Sequence, residues 1–192
     1  MIRWTVAYAF LMAMLVAPLA QATLVVDMDL PTLSREATHI VHADVLGSST
    51  LEKNGQFRTE VQLRIRKKMK GTRPLPEGSL LTIELPGGTV GELSQMVPGT
   101  PQIRAGDEVV LFLWQRNATT RPRILGLAQG AWRVERNGDR PTAHRDRRGI
   151  GLVNPTTHAI EQHATPSAMD RIELNDLLKH IREQLTTDPI LQ

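Results

Sequence analysis

The sequence predicts a mainly β domain, a barrel or sandwich of short strands with a short N-terminal helix and a C-terminal amphipathic helix. Three patterns carry that prediction. In residues 57–69, Thr59, Val61, Leu63 and Ile65 alternate with Arg58, Glu60, Gln62, Arg64 and Arg66, the period of a half-buried strand. Residues 109–114 are apolar without a break, as in a strand buried on both faces. Near the C-terminus, Leu174, Leu177, Leu178, Ile181 and Leu185 fall on one helical stripe.

The other elements follow in chain order. Residues 23–27 form a short β-type run. Residues 30–37 read as a helix, with Asp29 as its cap, Pro31 in its first turn and Leu33, Ala37 and Ile40 near helical spacing. Residues 39–46 form a strand with Val41, Ala43 and Val45 on one face and His42 and Asp44 on the other. Residues 48–55 are expected to be a polar hairpin loop, and Gly71-Thr72-Arg73-Pro74 closes the strand that follows. After a strand at 80–85 comes a long irregular loop, 86–107, which holds Gly87, Gly88, Gly91, Gly99 and Gly106. Loops of that length inside a domain are uncommon unless they have a function. Further strands are expected at 131–136 and 149–153. The charges from Arg136 to Arg148, which mix Asp139 and Asp146 among the arginines, read as a solvated loop. In the last helix Glu173 and Asp176 stand early and Lys179 and Arg182 late, the order its dipole favours. Val61, Leu63, Val110, Phe112 and Trp132 are the predicted core.

Residues 1–22 read as a secretory signal peptide. Arg3 gives a positive start, 4–19 are largely apolar, and Ala20-Gln21-Ala22 is a small-x-small cleavage site. The remainder, 23–192, is expected to be a single exported domain with no membrane attachment after cleavage. Its formal charge is +2, the +3 of the whole chain less Arg3, so nothing global calls for a nucleic-acid partner. The chain has no cysteine, which excludes thiol catalysis, iron–sulfur clusters and cysteine zinc sites. An exported domain without disulfides fits a bacterial periplasm or culture fluid better than an animal secretion.

Three stretches carry a family resemblance. Ala37-Thr38-His39-Ile40-Val41-His42-Ala43-Asp44-Val45 opens a strand, Lys67-Lys68-Met69-Lys70-Gly71 ends the next, and Gly106-Asp107-Glu108-Val109-Val110-Leu111-Phe112-Leu113 forms a later one. This order, over about residues 37 to 115, resembles the netrin-like modules, including the tissue inhibitors of metalloproteinases. It is also similar to secreted bacterial proteins that carry a Pro-Gly-Gly loop, as Pro86-Gly87-Gly88 does here. The resemblance implies an OB-like β-barrel. In the inhibitors the mature N-terminal amine and carbonyl chelate the protease zinc, a part that Thr23 would take in this chain. Netrin-like modules anchor that terminus through cysteines, which this chain lacks.

Candidate chemistry is sparse. His158 and His163 are five apart, not the four of a zincin helix, and His39 and His42 face opposite ways on a strand, so no metal or other cofactor is expected. There is no Gly-x-Ser-x-Gly, and no catalytic residue is assigned. Gly87 and Gly88 lack the helix and lysine of a phosphate loop and are read as part of a partner-binding loop. The face of the 57–69 strand opposite Val61 and Leu63 carries Arg58, Arg64, Arg66, Lys68 and Lys70 against Glu60. Such a stripe attracts an acidic polymer. No aromatic side chain interleaves it, which argues against single-stranded nucleic acid. The expected binding residues are therefore Arg64, Arg66, Lys68, Lys70, Gly87, Gly88 and Thr23. The expected role is a non-enzymatic binding domain for an acidic polysaccharide or an envelope or secreted protein. The alternatives are proteinase inhibition through Thr23, or a hydrolase whose site one sequence does not display.

Overall fold

The computed structural model describes residues 23–148, 150–161 and 170–187. The expected signal peptide, 1–22, and His163 lie outside them. In chain order the elements are β1 (Thr23–Val26), α1 (Leu30–Glu36), β2 (His39–Lys53), β3 (Gln56–Lys70), β4 (Leu80–Pro86), β5 (Gly88–Val90) and β6 (Leu93–Gln95). They continue with β7 (Glu108–Trp114), β8 (Arg123–Ile124), a 3-10 turn (Leu127–Gly130), β9 (Ala131–Glu135), β10 (Thr142–His144), β11 (Ile150–Val153), β12 (Ile160–Glu161), β13 (Arg171–Glu173) and α2 (Leu174–Thr187). The fold is mainly β, as the sequence predicts.

The main sheet runs β13-β10-β9-β7-β2-β3-β4, with β8 pairing the end of β7. Its path is open, because β13 and β4 end it and do not pair with each other. The nearest approach to closure is at β8, where the Pro122 carbonyl accepts from Glu84 N at 2.9 Å. A small sheet, β1-β11-β12, and the β5-β6 hairpin complete the strands.

Strand β7 separates two cores. Val109, Leu111 and Leu113 point into one, with Val41, Ala43 and Val45 of β2, Val61, Leu63 and Ile65 of β3, and Leu81, Ile83 and Leu85 of β4. Val110 and Phe112 point into the other, with Ile40, Trp132, Leu33 of α1 and Leu177 and Ile181 of α2. Val61, Leu63, Val110 and Phe112 are fully buried and Trp132 nearly so, so the predicted core is correct. Helix α1 begins as expected, with Asp29 Oδ1 accepting from Thr32 N at 2.8 Å.

The expected loop at 48–55 is a correction. Strand pairing continues to Lys53↔Gln56, and only Asn54 and Gly55, with φ of 54° and 72°, make the turn. Asn-Gly suits a two-residue hairpin of that backbone, and this signal outweighs the polar composition of 48–53. The 86–107 segment is also less irregular than expected, since it contains β5 and β6. Gly88 is required there. It has φ of 132°, and a Cβ would lie 2.3 Å from Thr59 Oγ1 and 2.5 Å from Thr50 Oγ1.

Phe112→Ala should cost about 3–5 kcal/mol and Leu63→Ala about 2–5 kcal/mol of folding stability. Urea unfolding measures both. Losses below about 0.5 kcal/mol at both sites would contradict the two-core assignment.

Candidate functional site

The site begins with the outward face of the β2–β3–β4 ladder. Arg58 pairs in register with Leu51 and Pro86, Glu60 with Ser49 and Glu84, and Arg64 with Asp44 and Leu80. Paired residues share a face, so these side chains form the outer surface of the sheet, opposite Val61 and Leu63. Glu60 and Glu84 are direct neighbours of like charge. The loop from β7 to β8 offsets them: Arg121 reaches Glu60 at 3.1 Å and Arg123 reaches Glu84 at 2.6 Å. Two shallow clefts lie along this face. One, of about 350 Å³, is lined by Lys53, Asn54, Gln56, Arg58, Glu84 and Arg123. The other, of about 280 Å³, includes Arg73, Leu80, Thr82 and Arg121. Lys53, Arg58, Arg64, Arg121 and Arg123 thus face Glu60 and Glu84, leaving a surplus of positive charge.

The expected stripe is divided by two bulges. The β2–β3 register shifts between His42 and Ala43 and again between Ile40 and Val41, which makes Arg66 and Met69 the extra residues of β3. Arg64 stays exposed, with no ion pair among the described residues. Arg66 turns to Asp44 at 2.7 Å. Lys68 Nζ donates to the carbonyls of Gly71 and Arg73 at 3.1 and 3.2 Å. Lys70 Nζ donates to the carbonyls of Ser34 and Arg35 at 2.9 and 2.8 Å, at the end of α1. The structure therefore keeps Arg64 and Arg58 on one face of β3, while Lys68 and Lys70 are engaged by backbone carbonyls. Sequence reasoning missed Lys53, Arg121 and Arg123. Lys53 follows from the Asn-Gly turn, but nothing in Arg121-Pro122-Arg123 signals that the loop folds over β4.

Gly87 and Gly88 lie against the hairpin, not in a free loop. Gly87 N donates to the Phe57 carbonyl at 2.9 Å, and Thr59 Oγ1 donates to the Gly87 carbonyl at 2.8 Å. Thr23 opens β1 and pairs with Ile150 of β11. It sits in the small sheet, away from the arginine face. Among the described residues no group of three or more His, Asp or Glu could hold a metal ion.

The charged run from Arg136 to Arg148 is a solvated loop over its first part, 136–140, as expected, and a correction at Arg145 and Arg147, which turn inward. Two buried carboxylates organise it. Glu108 accepts from both Arg136 Nε and an Arg136 terminal nitrogen at 2.6 Å. It also lies 2.7 Å from His42 Nε2 and 3.8 Å from Arg66. Asp170 Oδ1 accepts from Arg145 Nε at 2.9 Å, and Asp170 Oδ2 accepts from an Arg147 terminal nitrogen at 3.1 Å. The Arg145 guanidinium lies 4.8 Å from the Trp132 ring centroid, within cation–π range. These arginines alternate with Asp146 and Arg148, which are exposed. A polar sequence therefore folds inward because carboxylates distant in sequence receive it. Burial alone would raise the Glu108 carboxyl, but hydrogen bonds from Arg136 and His42, with the Arg66 charge, hold it below the ordinary carboxylate range.

No protein-family model, curated protein or solved structure matches the chain significantly. Among the described residues no helix is long and apolar enough to cross a membrane.

Glu108→Gln should destabilise the protein by about 1–3 kcal/mol, the scale of hydrogen bonds to a buried charged group, because the partners Arg136 and Arg66 are about half exposed and screened by water. Because its folded value is depressed, Glu108 contributes stability above the unfolded carboxylate value, and that contribution is lost as pH falls through the folded one. Thermal melts across the acid range should show a steeper decline in wild type than in Glu108→Gln. Parallel declines would mean that Glu108 is not the group holding Arg136 and His42.

Proposed function

We propose that this chain is an exported, non-catalytic binding domain that recognises an acidic polysaccharide on the outer face of β3 and β4. The observation that carries this reading is the excess of Lys53, Arg58, Arg64, Arg121 and Arg123 over Glu60 and Glu84 on this face; Arg121 and Arg123 hold the two carboxylates, Arg58 lies 4.0 Å from Glu84, and Lys53 and Arg64 have no ion pair among the described residues. Arg58 and Arg64 are six residues apart along one strand, roughly 20 Å at the rise of a β-strand. That span suits a linear polymer of regularly spaced charges, and the two shallow clefts along it suit a chain lying in a groove.

The barrel reading belongs to the same proposal. The succession β4-β3-β2-β7-β9, with β8 brought beside β4 by the Glu84–Pro122 hydrogen bond, supports a partly open five-stranded barrel of the OB type. Such barrels bind oligosaccharides and oligonucleotides on the face of their second and third strands, which here are β3 and β4. β3 and β4 present no aromatic side chain on this face, where Arg58, Glu60, Gln62 and Arg64 alternate on β3 and Leu80, Thr82 and Glu84 on β4, and a single exposed aromatic, Trp114, stands beside Arg123 at its margin. A glycan with hydroxyl and carboxylate groups matches that chemistry better than stacked bases.

Titration with a polyuronate and a sulfated glycan at two salt concentrations tests the reading. Binding should be clear at low salt and weaken steeply at moderate salt, where screening acts over about 8 Å. The Lys53→Gln/Arg58→Gln/Arg64→Gln variant should lose binding with only a small drop in thermal midpoint, because Lys53 and Arg64 are exposed and Glu84 keeps Arg123 at 2.6 Å when its longer 4.0 Å contact with Arg58 is removed. Lys68→Gln should bind as wild type does. Absence of binding at low salt, or equal loss in Lys68→Gln, would defeat the assignment.

A further inference from the structure

A larger cleft, of about 600 Å³, opens on the other side of the molecule. Its size lies within the range of small-molecule sites. It exists because of how the first core is covered. Among the described residues, the Val109–Ala131 side of that core is covered by the segment 96–103 and not by a strand. Ile103 packs against the core, and the Gly99 carbonyl accepts from Ala128 N at 2.9 Å. Val109, Ala128 and Ala131 line the cleft. Ala131 stands opposite Leu111 in the β7–β9 ladder and faces the same core. Two alanines where larger side chains would close the gap leave an apolar recess connected to the core.

The other wall is polar. Arg133 and His144 are paired neighbours on β9 and β10, and Asp146 and Arg148 follow them at the edge. Arg133 lies 3.5 Å from Asp107 and also donates to the Gln102 carbonyl. Arg148 holds Asp146 at 2.6 Å, in a pair whose side chains are 75% and 53% exposed. Exposed pairs of this kind contribute little, so Arg148 can exchange Asp146 for an incoming carboxylate at small cost. The cleft therefore offers an apolar recess next to three arginines, of which Arg145 is held by Asp170 and Arg133 and Arg148 face an incoming group.

We propose that this cleft binds a small amphipathic anion, an alkyl chain ending in a carboxylate. The chain lies over Ala128, Ala131 and Ile103, and the carboxylate meets Arg133 and Arg148. This site is separate from the polysaccharide face and does not depend on it.

Calorimetry of the purified protein with decanoate and decan-1-ol tests the proposal. Decanoate should saturate one site, and decan-1-ol should bind at least about ten-fold more weakly, the scale of one lost charge contact. Arg133→Gln/Arg148→Gln should lower decanoate affinity by a similar factor. Ala131→Leu fills the recess and should abolish decanoate binding without lowering the thermal midpoint. If that variant is destabilised, Ile103→Trp at the rim provides the same block. The Lys53→Gln/Arg58→Gln/Arg64→Gln variant should bind decanoate as wild type does. Any of four results would overturn the proposal: no saturable decanoate binding, equal affinity for the alcohol, undiminished binding in both filled variants, or loss in the outer-face variant.

Discussion

A strand with apolar side chains on both faces must be covered on both, or a large apolar surface stays in water. β7 is such a strand. Its Val109, Leu111 and Leu113 face one core and its Val110 and Phe112 the other, and each fully buried side chain contributes about 1.5–3 kcal/mol. Covering the first face requires the curved ladder of β2, β3 and β4. Covering the second requires α1 and α2, two helices far apart in the chain that meet across β7 and Trp132. The two proposed sites are what this arrangement leaves uncovered: the outer surface of β3 and β4 beyond the helices, and the gap beside β9 that a loop covers in place of a strand.

The charged residues follow from the same geometry. Glu108 is the first residue of β7 and points to the helix side, in register with Asp44. A buried carboxylate there has to be matched. His42 comes from β2, Arg136 from the end of β9, and Arg66 from a bulge that turns it out of the β3 alternation. Asp170 does the same at the far edge, where it gathers Arg145 and Arg147, and Arg147 also approaches Asp27 at 3.4 Å. Buried pairs of this kind add little net stability over apolar packing, yet removing one partner is costly. Their effect is to set where β9, β10 and β1 lie. On the outer face the cations outnumber the carboxylates, and Arg64 has no ion pair among the described residues, which is why binding is proposed there and not at the most arginine-rich stretch of sequence.

How far the sequence could be read depended on the range of each interaction. The alternation of Val61, Leu63 and Ile65, the unbroken run in β7 and the stripe of α2 are local patterns, and the structure follows each of them. The charges at Arg145 and Arg147 carry no local sign of burial, and the exposed Arg136 no sign of its partner, because Asp170 and Glu108, which receive them, lie 25, 23 and 28 residues away. The bulge at Arg66 was equally hidden, since it exists only as a mismatch between β2 and β3. The candidate face was half legible for this reason. Arg58 and Arg64 could be read from β3 alone, Lys68 and Lys70 were lost to the bulges, and Arg121 and Arg123 enter only through the folding of another loop over β4.

If β7 joins the two cores as described, neither core can open without the other. Native-state hydrogen exchange measures this directly. The account predicts that the amides of Val110 and Leu111, of Leu63 in the first core and of Ile181 in the second exchange only through global unfolding, with the same free energy and the same response to denaturant. A distinctly lower opening free energy for α2, with β7 and β3 still protected, would show that the helices dock on a sheet already stable without them and would contradict the account.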